Sequence, residues 1–340
     1  MTLLVRSLSS LRWLNHQLAG ERMAPRWRLH RPMAERAAMV VQAYYAVSLF
    51  MLYDRSREIA RLDGRAGDLD PLWPIAWLDW VGADLGGMLM AHLAIVGGLG
   101  GLLFWRRLWA RVLVSLALLQ FVALNNSFGF MGHGYHSWFW MSVALWFLPN
   151  GRPPSGSRGR FHTIRFLLGF SVAPALMLLF YSLSGLYKAV FAISALFTED
   201  ISGLAPQAMA LTLAWRIFET NAEPLWAHLV IGQPWLGWPL YLGLYYAELF
   251  AFMVFFRPRL HRLWGLILIL FHIGTFLFMD ITFPEHVLIC ALFLFMSPFE
   301  AGLHGYGRAL AALPLFGPIL RAVAASRGAP SSVGRERFLP

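Results

Sequence analysis

Cysteine and lysine are almost missing from this chain. Cys290 is the only cysteine in 340 residues, so an intramolecular disulfide is impossible and a small disulfide-built secreted module is excluded. Charge is scarce as well. Charged residues make up 14% of the sequence, against about 25% in soluble domains. Hydrophobic residues make up 58%, and the mean hydropathy is +0.56. That balance excludes a disordered chain and an ordinary soluble enzyme, and it fits a polytopic membrane protein. No Walker A, GxGxxG, CxxC or GxSxG motif is present, and no internal repeat. The basic residues are 27 arginines and a single lysine, Lys188, which lies inside a hydrophobic segment.

Hydrophobic runs of the length that crosses a bilayer, roughly 17–25 residues, recur along the chain. They predict an all-α polytopic fold of about eight transmembrane helices near 37–53, 84–105, 109–130, 133–149, 164–190, 237–256, 262–280 and 283–299. The fourth and eighth are short, which suits helices of little tilt or a protein-lined interior. Alternate loops are strongly basic. The N-terminal segment, the second–third, fourth–fifth and sixth–seventh loops and the C-terminal tail hold 22 of the 27 arginines. Cytoplasmic loops are enriched in arginine and lysine, so this partition places both termini in the cytoplasm. The net charge of +10 is therefore a topology signal, and no nucleic-acid partner is expected.

Three regions follow: a basic amphipathic cytoplasmic segment at 1–36, a transmembrane helical domain at 37–300, and a cytoplasmic interfacial or disordered tail at 301–340. Leu3, Leu4, Leu8, Leu11 and Trp13 predict an interfacial helix in the first region. The outer loop 54–83 combines acidic residues with Trp73, Trp77 and Trp80, as an interfacial belt does. The loop 191–236 holds an expected amphipathic surface helix around Ala205–Thr220. Gly151–Gly159 reads as a flexible cytoplasmic loop. In the tail, Ala309–Val323 reads as an interfacial helix interrupted by Pro314 and Pro318.

Ionisable residues within spans are costly and are therefore site candidates. Counting about 1.5 Å per residue from the flanking arginines, Glu248 and His272 lie at matched depth near mid-membrane, which predicts a hydrogen bond between them. On the same count His92, Asn125 and His136 lie higher, and Lys188 lies near the outer interface. Tyr181, Ser184, Gly185 and Lys188 follow i, i+3, i+4, i+7 spacing and share one helix face. Small residues on that face admit a close helix or a flat ligand. Each candidate also has a structural reading. Lys188 could snorkel to headgroups, His272 could be a satisfied core histidine, and His133 and His136 could belong to an ordinary Gly-rich turn. Asp280, Glu285 and His286 match no metal template, and no metal is expected.

Three stretches together resemble the vitamin K-dependent gamma-carboxylase family and its bacterial relatives, the horizontally transferred transmembrane (HTTM) domain proteins. Tyr181-Ser-Leu-Ser-Gly185-Leu-Tyr-Lys188 is similar to the family's Tyr-x-x-[Ala/Ser]-Gly-x-x-Lys helix. Gly134-Tyr135-His136-Ser137-Trp138 is similar to an Asn-Asn-His-Ser-Tyr stretch. Glu248 through Phe271-His272 to Ser297-Pro298-Phe299 resembles the family's late helix pair. The likeness spans roughly residues 36–300. Gly134-Tyr135 replaces the family's Asn pair, and Asn125-Asn126 lies too far upstream to stand in for it. About 40 residues follow position 300, where the animal enzyme carries a large lumenal domain.

The resemblance implies a bacterial inner-membrane protein that acts on a reduced, vitamin K-like quinone. In it Lys188 is the general base, His136, His272 and Glu248 are further catalytic residues, and Tyr181, Ser184, Gly185 and Trp138 hold the ring. The chemistry is coherent, because a desolvated lysine can be neutral and basic. The alternatives are a non-catalytic membrane subunit or transporter binding a small polar or quinone-like ligand, and a structural remnant whose polar residues lock helix packing.

Overall fold

Residues 31–59, 67–129, 132–151, 156–198, 201–299 and 312–326 are described by a computed structural model. The expected N-terminal surface helix, most of the basic loop before Ser157 and the last residues of the tail lie outside them. The described residues are all helix and connection, with no strand among them. Along the chain run α1 (Arg31–Ile59), α2 (Leu78–Val81), α3 (Ala83–Phe104), α4 (Leu108–Asn125), α5 (His136–Ala144), α6 (Gly156–Ser194), α7 (Ala208–Thr220), α8 (Ala227–Gly232), α9 (Pro234–Leu249), α10 (Ala251–Phe255), α11 (His261–Met279), α12 (Pro284–Cys290) and α13 (Phe316–Ser326).

Five helices among the described residues are long and apolar enough to cross a membrane: Pro32–Arg57, Ala83–Phe104, Leu108–Asn125, Gly159–Phe197 and Pro258–Met279. They correspond to the first, second, third, fifth and seventh expected spans, and they fit an integral membrane protein. Their surfaces agree. On α11 one face buries His261, Gly265, Leu268 and His272, while Leu266, Leu270 and Ile273 on another face are exposed. A soluble helix would put polar residues on that outer face. Here the exposed face is apolar instead, as in a helix that meets lipid.

The other three expected spans take a different form. The stretch near 133–149 is the nine-residue α5 followed by a 3-10 turn, Leu145–Phe147. The stretch near 237–256 is broken at Phe250 into α9 and α10. The stretch near 283–299 is α12 running into a π-helical turn, Ala291–Phe295. The break at Phe250 is stitched from outside. Ser182 on α6 accepts the Phe252 N–H at 2.8 Å and donates to the Leu249 carbonyl at 3.1 Å. A neighbouring hydroxyl thus satisfies backbone groups that the interrupted helix leaves open, as apolar surroundings demand.

α1 packs on α3, α3 on α4, and α6 on α9 and α10, while α11 lies against α12 and the π turn. Where α1 crosses α3, a Cβ on Gly98 would lie 3.0 Å from the Leu49 Cα, so only glycine permits the approach. The core includes Tyr44, Tyr45, Trp138, Phe170, Trp264 and Phe293, all fully buried. Arg111, from a loop read as cytoplasmic, is also buried. It donates to the carbonyls of Leu148 (2.6 Å) and Trp105 (3.0 Å) and to Asn150 Oδ1 (3.1 Å). At the opposite end α7 matches the expected surface helix. With α8 it forms a small separate core of Ala210, Leu213, Ala227 and Val230 against Phe278 and Met279 of α11. The tail is less detached than the expected boundary at residue 301 suggests. Tyr246 donates to the Pro314 carbonyl at 2.6 Å, and Arg257 is bonded to the Ala312 carbonyl. α13 starts only after Pro314, with Pro318 in its first turn, where proline is tolerated.

Candidate functional site

α6 carries the core of the site. Gly185 lets α9 come so close that a Cβ there would fall 2.7 Å from the Glu248 carbonyl carbon. One turn further along α6, Lys188 Nζ reaches both carboxylate oxygens of Glu248, at 2.7 and 2.6 Å. Glu248 is buried, whereas 34% of the Lys188 side chain is exposed. The lysine head also lies 6.0 Å from the Phe271 ring centroid, at the outer limit of cation–π attraction.

Two turns back along α6, Tyr181 Oη lies 2.5 Å from His272 Nε2 and 3.5 Å from Cys290 Sγ. The sequence reading joined Glu248 to His272. The structure replaces that bond with two others, Glu248 to Lys188 and His272 to Tyr181. Matched counts along two helices do not decide which side chains meet: Glu248 and His272 both turn toward α6, to Lys188 and to Tyr181. His272 Nδ1 is buried with no hydrogen-bond partner among the described residues.

A second polar group adjoins the first. The His272 and His286 rings are 4.9 Å apart, with Phe283 against both. His286 Nδ1 lies 3.2 Å from Glu285 Oε1, and its Nε2 lies 2.8 Å from Ser137 Oγ. His136 Nε2 accepts from Asn126 Nδ2 at 3.0 Å. The same Asn126 donates to the Val122 carbonyl at 2.9 Å, and its Oδ1 accepts the Gly132 N–H at 2.7 Å. The sequence reading set Asn125-Asn126 too far upstream to stand in for the Asn pair expected just before His136, and it named no partner for that histidine. The turn after α4 folds back and brings Asn126 to it.

Lys188, Glu248, His272 and Tyr181 are therefore contiguous, with Gly185 as the spacer, while His136 stands in the neighbouring group. Ser184 is half-buried on the same α6 face and takes no part in these bonds. Trp138 belongs elsewhere. It is fully buried, stacked on Tyr44 at 4.7 Å, and bonded through Nε1 to Ser48 Oγ at 2.8 Å. It packs the core and does not face the lysine. Sequence reasoning missed Ser182, Cys290 and Asn126 as site neighbours, and it weighed Glu285 and His286 only as metal ligands. Asp280 of that trio is exposed at the end of α11, and no three metal-ligating side chains converge among the described residues. No family model, curated protein or solved structure matches the chain.

Proposed function

We propose that this chain is a gamma-carboxylase-like (HTTM-like) membrane oxidoreductase acting on a reduced quinone, with Lys188 and Glu248 handling the substrate proton. The observation that carries the reading is the Lys188–Glu248 pair itself. An amine on a helix long and apolar enough to cross a membrane is held by both oxygens of a buried carboxylate, with the amine side still open to a third partner.

A reduced quinone would supply a weakly acidic hydroxyl and two electrons for oxygen. The chain's residues supply the rest. Glu248 holds the amine through both carboxylate oxygens, which makes it the acceptor for a proton that the amine carries. Tyr181 and His272 stand beside this pair. Whichever tautomer His272 adopts, its unpartnered Nδ1 offers a buried bond to a ligand oxygen. Phe271 and Phe283 supply apolar faces suited to a flat ring.

The same reading holds that the chain crosses the bilayer eight times, with both termini inside. The arginine partition supports it. So does the position of α5, α9–α10 and α12, which pack among the long helices where short or broken segments can be tolerated. The pair would then face the outer half of the membrane.

The test is oxygen consumption or epoxide formation by purified protein supplied with reduced menaquinone or phylloquinone. Lys188→Arg should abolish it, because guanidinium does not deprotonate in proteins. Wild-type protein inert toward both quinols would remove this reading. A second reading, a binding subunit or transporter whose ion pair opens on a polar ligand, is favoured by one fact: both carboxylate oxygens already hold the amine. Saturable quinone binding without turnover would select it.

A further inference from the structure

We infer that Ser137, His286 and Glu285 form a second catalytic centre, a serine nucleophile with its base and orienting acid, directed at hydrophobic carboxylic esters. It adjoins the lysine-centred site, with the His286 ring 4.9 Å from His272 and Phe283 against both, but its three residues take no part in that chemistry.

The geometry is that of an activated hydroxyl. Glu285 is 3% exposed. A carboxylate only accepts hydrogen bonds, so its contact with His286 Nδ1 at 3.2 Å puts the ring proton on Nδ1. Nε2 is then an acceptor, and it lies 2.8 Å from Ser137 Oγ. Nucleophile to base to acid is the sequence of contacts that makes a serine reactive. The three residues come from two helices that are distant in sequence. Ser137 opens α5, and Glu285 and His286 open α12. The backbone adds a fourth element. Ser137 lies in the first turn of the nine-residue α5, where N–H groups have no partner within the helix. Such groups can stabilise an oxyanion that forms on a carbon bonded to Ser137 Oγ.

The acid is shielded from solvent: Glu285 is 3% exposed, and a Cβ on Gly134 would make ordinary contact with its Oε1, at 3.7 Å. Phe283 lies 5.3 Å from the His286 ring and supplies an apolar contact suited to the hydrocarbon chain of an ester.

The chemistry balances with water as co-reactant. Ser137 Oγ bonds to the acyl carbon as its proton passes to His286 Nε2, and the carbonyl electron pair moves onto oxygen. That pair returns, the ester C–O bond breaks, and the departing alcohol takes the proton from His286. Water then gives a proton to His286 and its oxygen to the acyl carbon, and Ser137 leaves with that proton.

The experiment uses full-length protein in detergent micelles with a fluorophosphonate probe, whose phosphorus is attacked by an activated serine with loss of fluoride. Peptide mass spectrometry should place the adduct on Ser137. p-Nitrophenyl butyrate should be hydrolysed, and phenylmethylsulfonyl fluoride should block both reactions. Ser137→Ala should abolish the signal. His286→Gln should lower the rate at least ~100-fold and Glu285→Gln at least ~10-fold. Ser194→Ala, an exposed serine of α6, should change nothing. Wild-type protein that unfolds with a sharp thermal transition yet gives no Ser137 adduct would overturn the proposal. So would an unchanged labelling rate in folded His286→Gln. Either result would reduce the Ser137–His286 bond to a tether between α5 and α12.

Discussion

Gly185 and Leu249 belong to helices that touch backbone to backbone. A Cβ on Gly185 would collide with the Leu249 amide nitrogen and would lie 2.8 Å from the Glu248 Cβ. α6 and α9 can meet at this distance only because residue 185 has no side chain. Gly185→Leu should therefore force the helices apart. Overpacking of this kind costs about 1–3 kcal/mol or more, and it should appear as a lowered midpoint of thermal unfolding in detergent. Gly243→Leu, where nothing lies within 4 Å of the built Cβ, should leave the midpoint nearly unchanged.

The Lys188–Glu248 pair should behave as a coupled unit. Glu248→Leu leaves an uncompensated amine, and Lys188→Met leaves an uncompensated buried carboxylate. Lys188 can still reach solvent with a third of its side chain, so removing the acid should be the milder change. Each single variant should lose on the order of 1–4 kcal/mol, and the double variant should recover part of that loss. A double-mutant cycle on unfolding in detergent measures the coupling. Strict additivity would mean that the pair contributes no interaction of its own.

Arg111 should resist replacement by lysine. Its guanidinium reaches two carbonyls and the Asn150 side chain at once, a spread that a single ammonium cannot copy. Arg111→Lys should lower stability by about 2 kcal/mol and Arg111→Ala by more, since each leaves buried carbonyls without donors. Unfolding midpoints of the two variants in one detergent give the ranking.

Sidedness is the fourth prediction. Glu219 and Arg259 are both exposed, and the native Cys290 is fully buried, so introduced cysteines report without background. In intact cells an impermeant maleimide should label Glu219→Cys, and it should reach Arg259→Cys only after permeabilisation. Labelling of both residues from the same side would refute the proposed orientation.

Five long helices were legible in the sequence because uninterrupted apolar runs carry their own signal. The lysine-bearing face of α6 was legible too, since a single helix brings Tyr181, Gly185 and Lys188 together by period alone. What crosses between helices was not. The partner of Glu248 depends on where α9 breaks. That break is supported by Ser182 from a different helix, and no local pattern around Phe250 announces it. Asn126 pairs with His136 through the turn after α4, which linear distance obscured. Trp138 read as a ring platform because it is an aromatic in the same stretch as His136, yet helical residues two positions apart point about 200° apart, and this one packs into the core against Tyr44.

The contacts of α6 with the broken helix recur at Ser182, Gly185 and Lys188, three residues apart each time. Together they grip residues 248 to 252. They work like the wards of a key. Sliding α9 by a single residue, about 1.5 Å, would pull the Leu249 and Phe252 backbone groups away from the hydroxyl. It would also drive a side chain into the glycine notch and shear the carboxylate from the amine, all at once. Longitudinal slippage is therefore blocked three times over. Because Ser182 holds Leu249 on one side of the break and Phe252 on the other, pivoting at Phe250 is resisted as well, and the bend between α9 and α10 is set by α6.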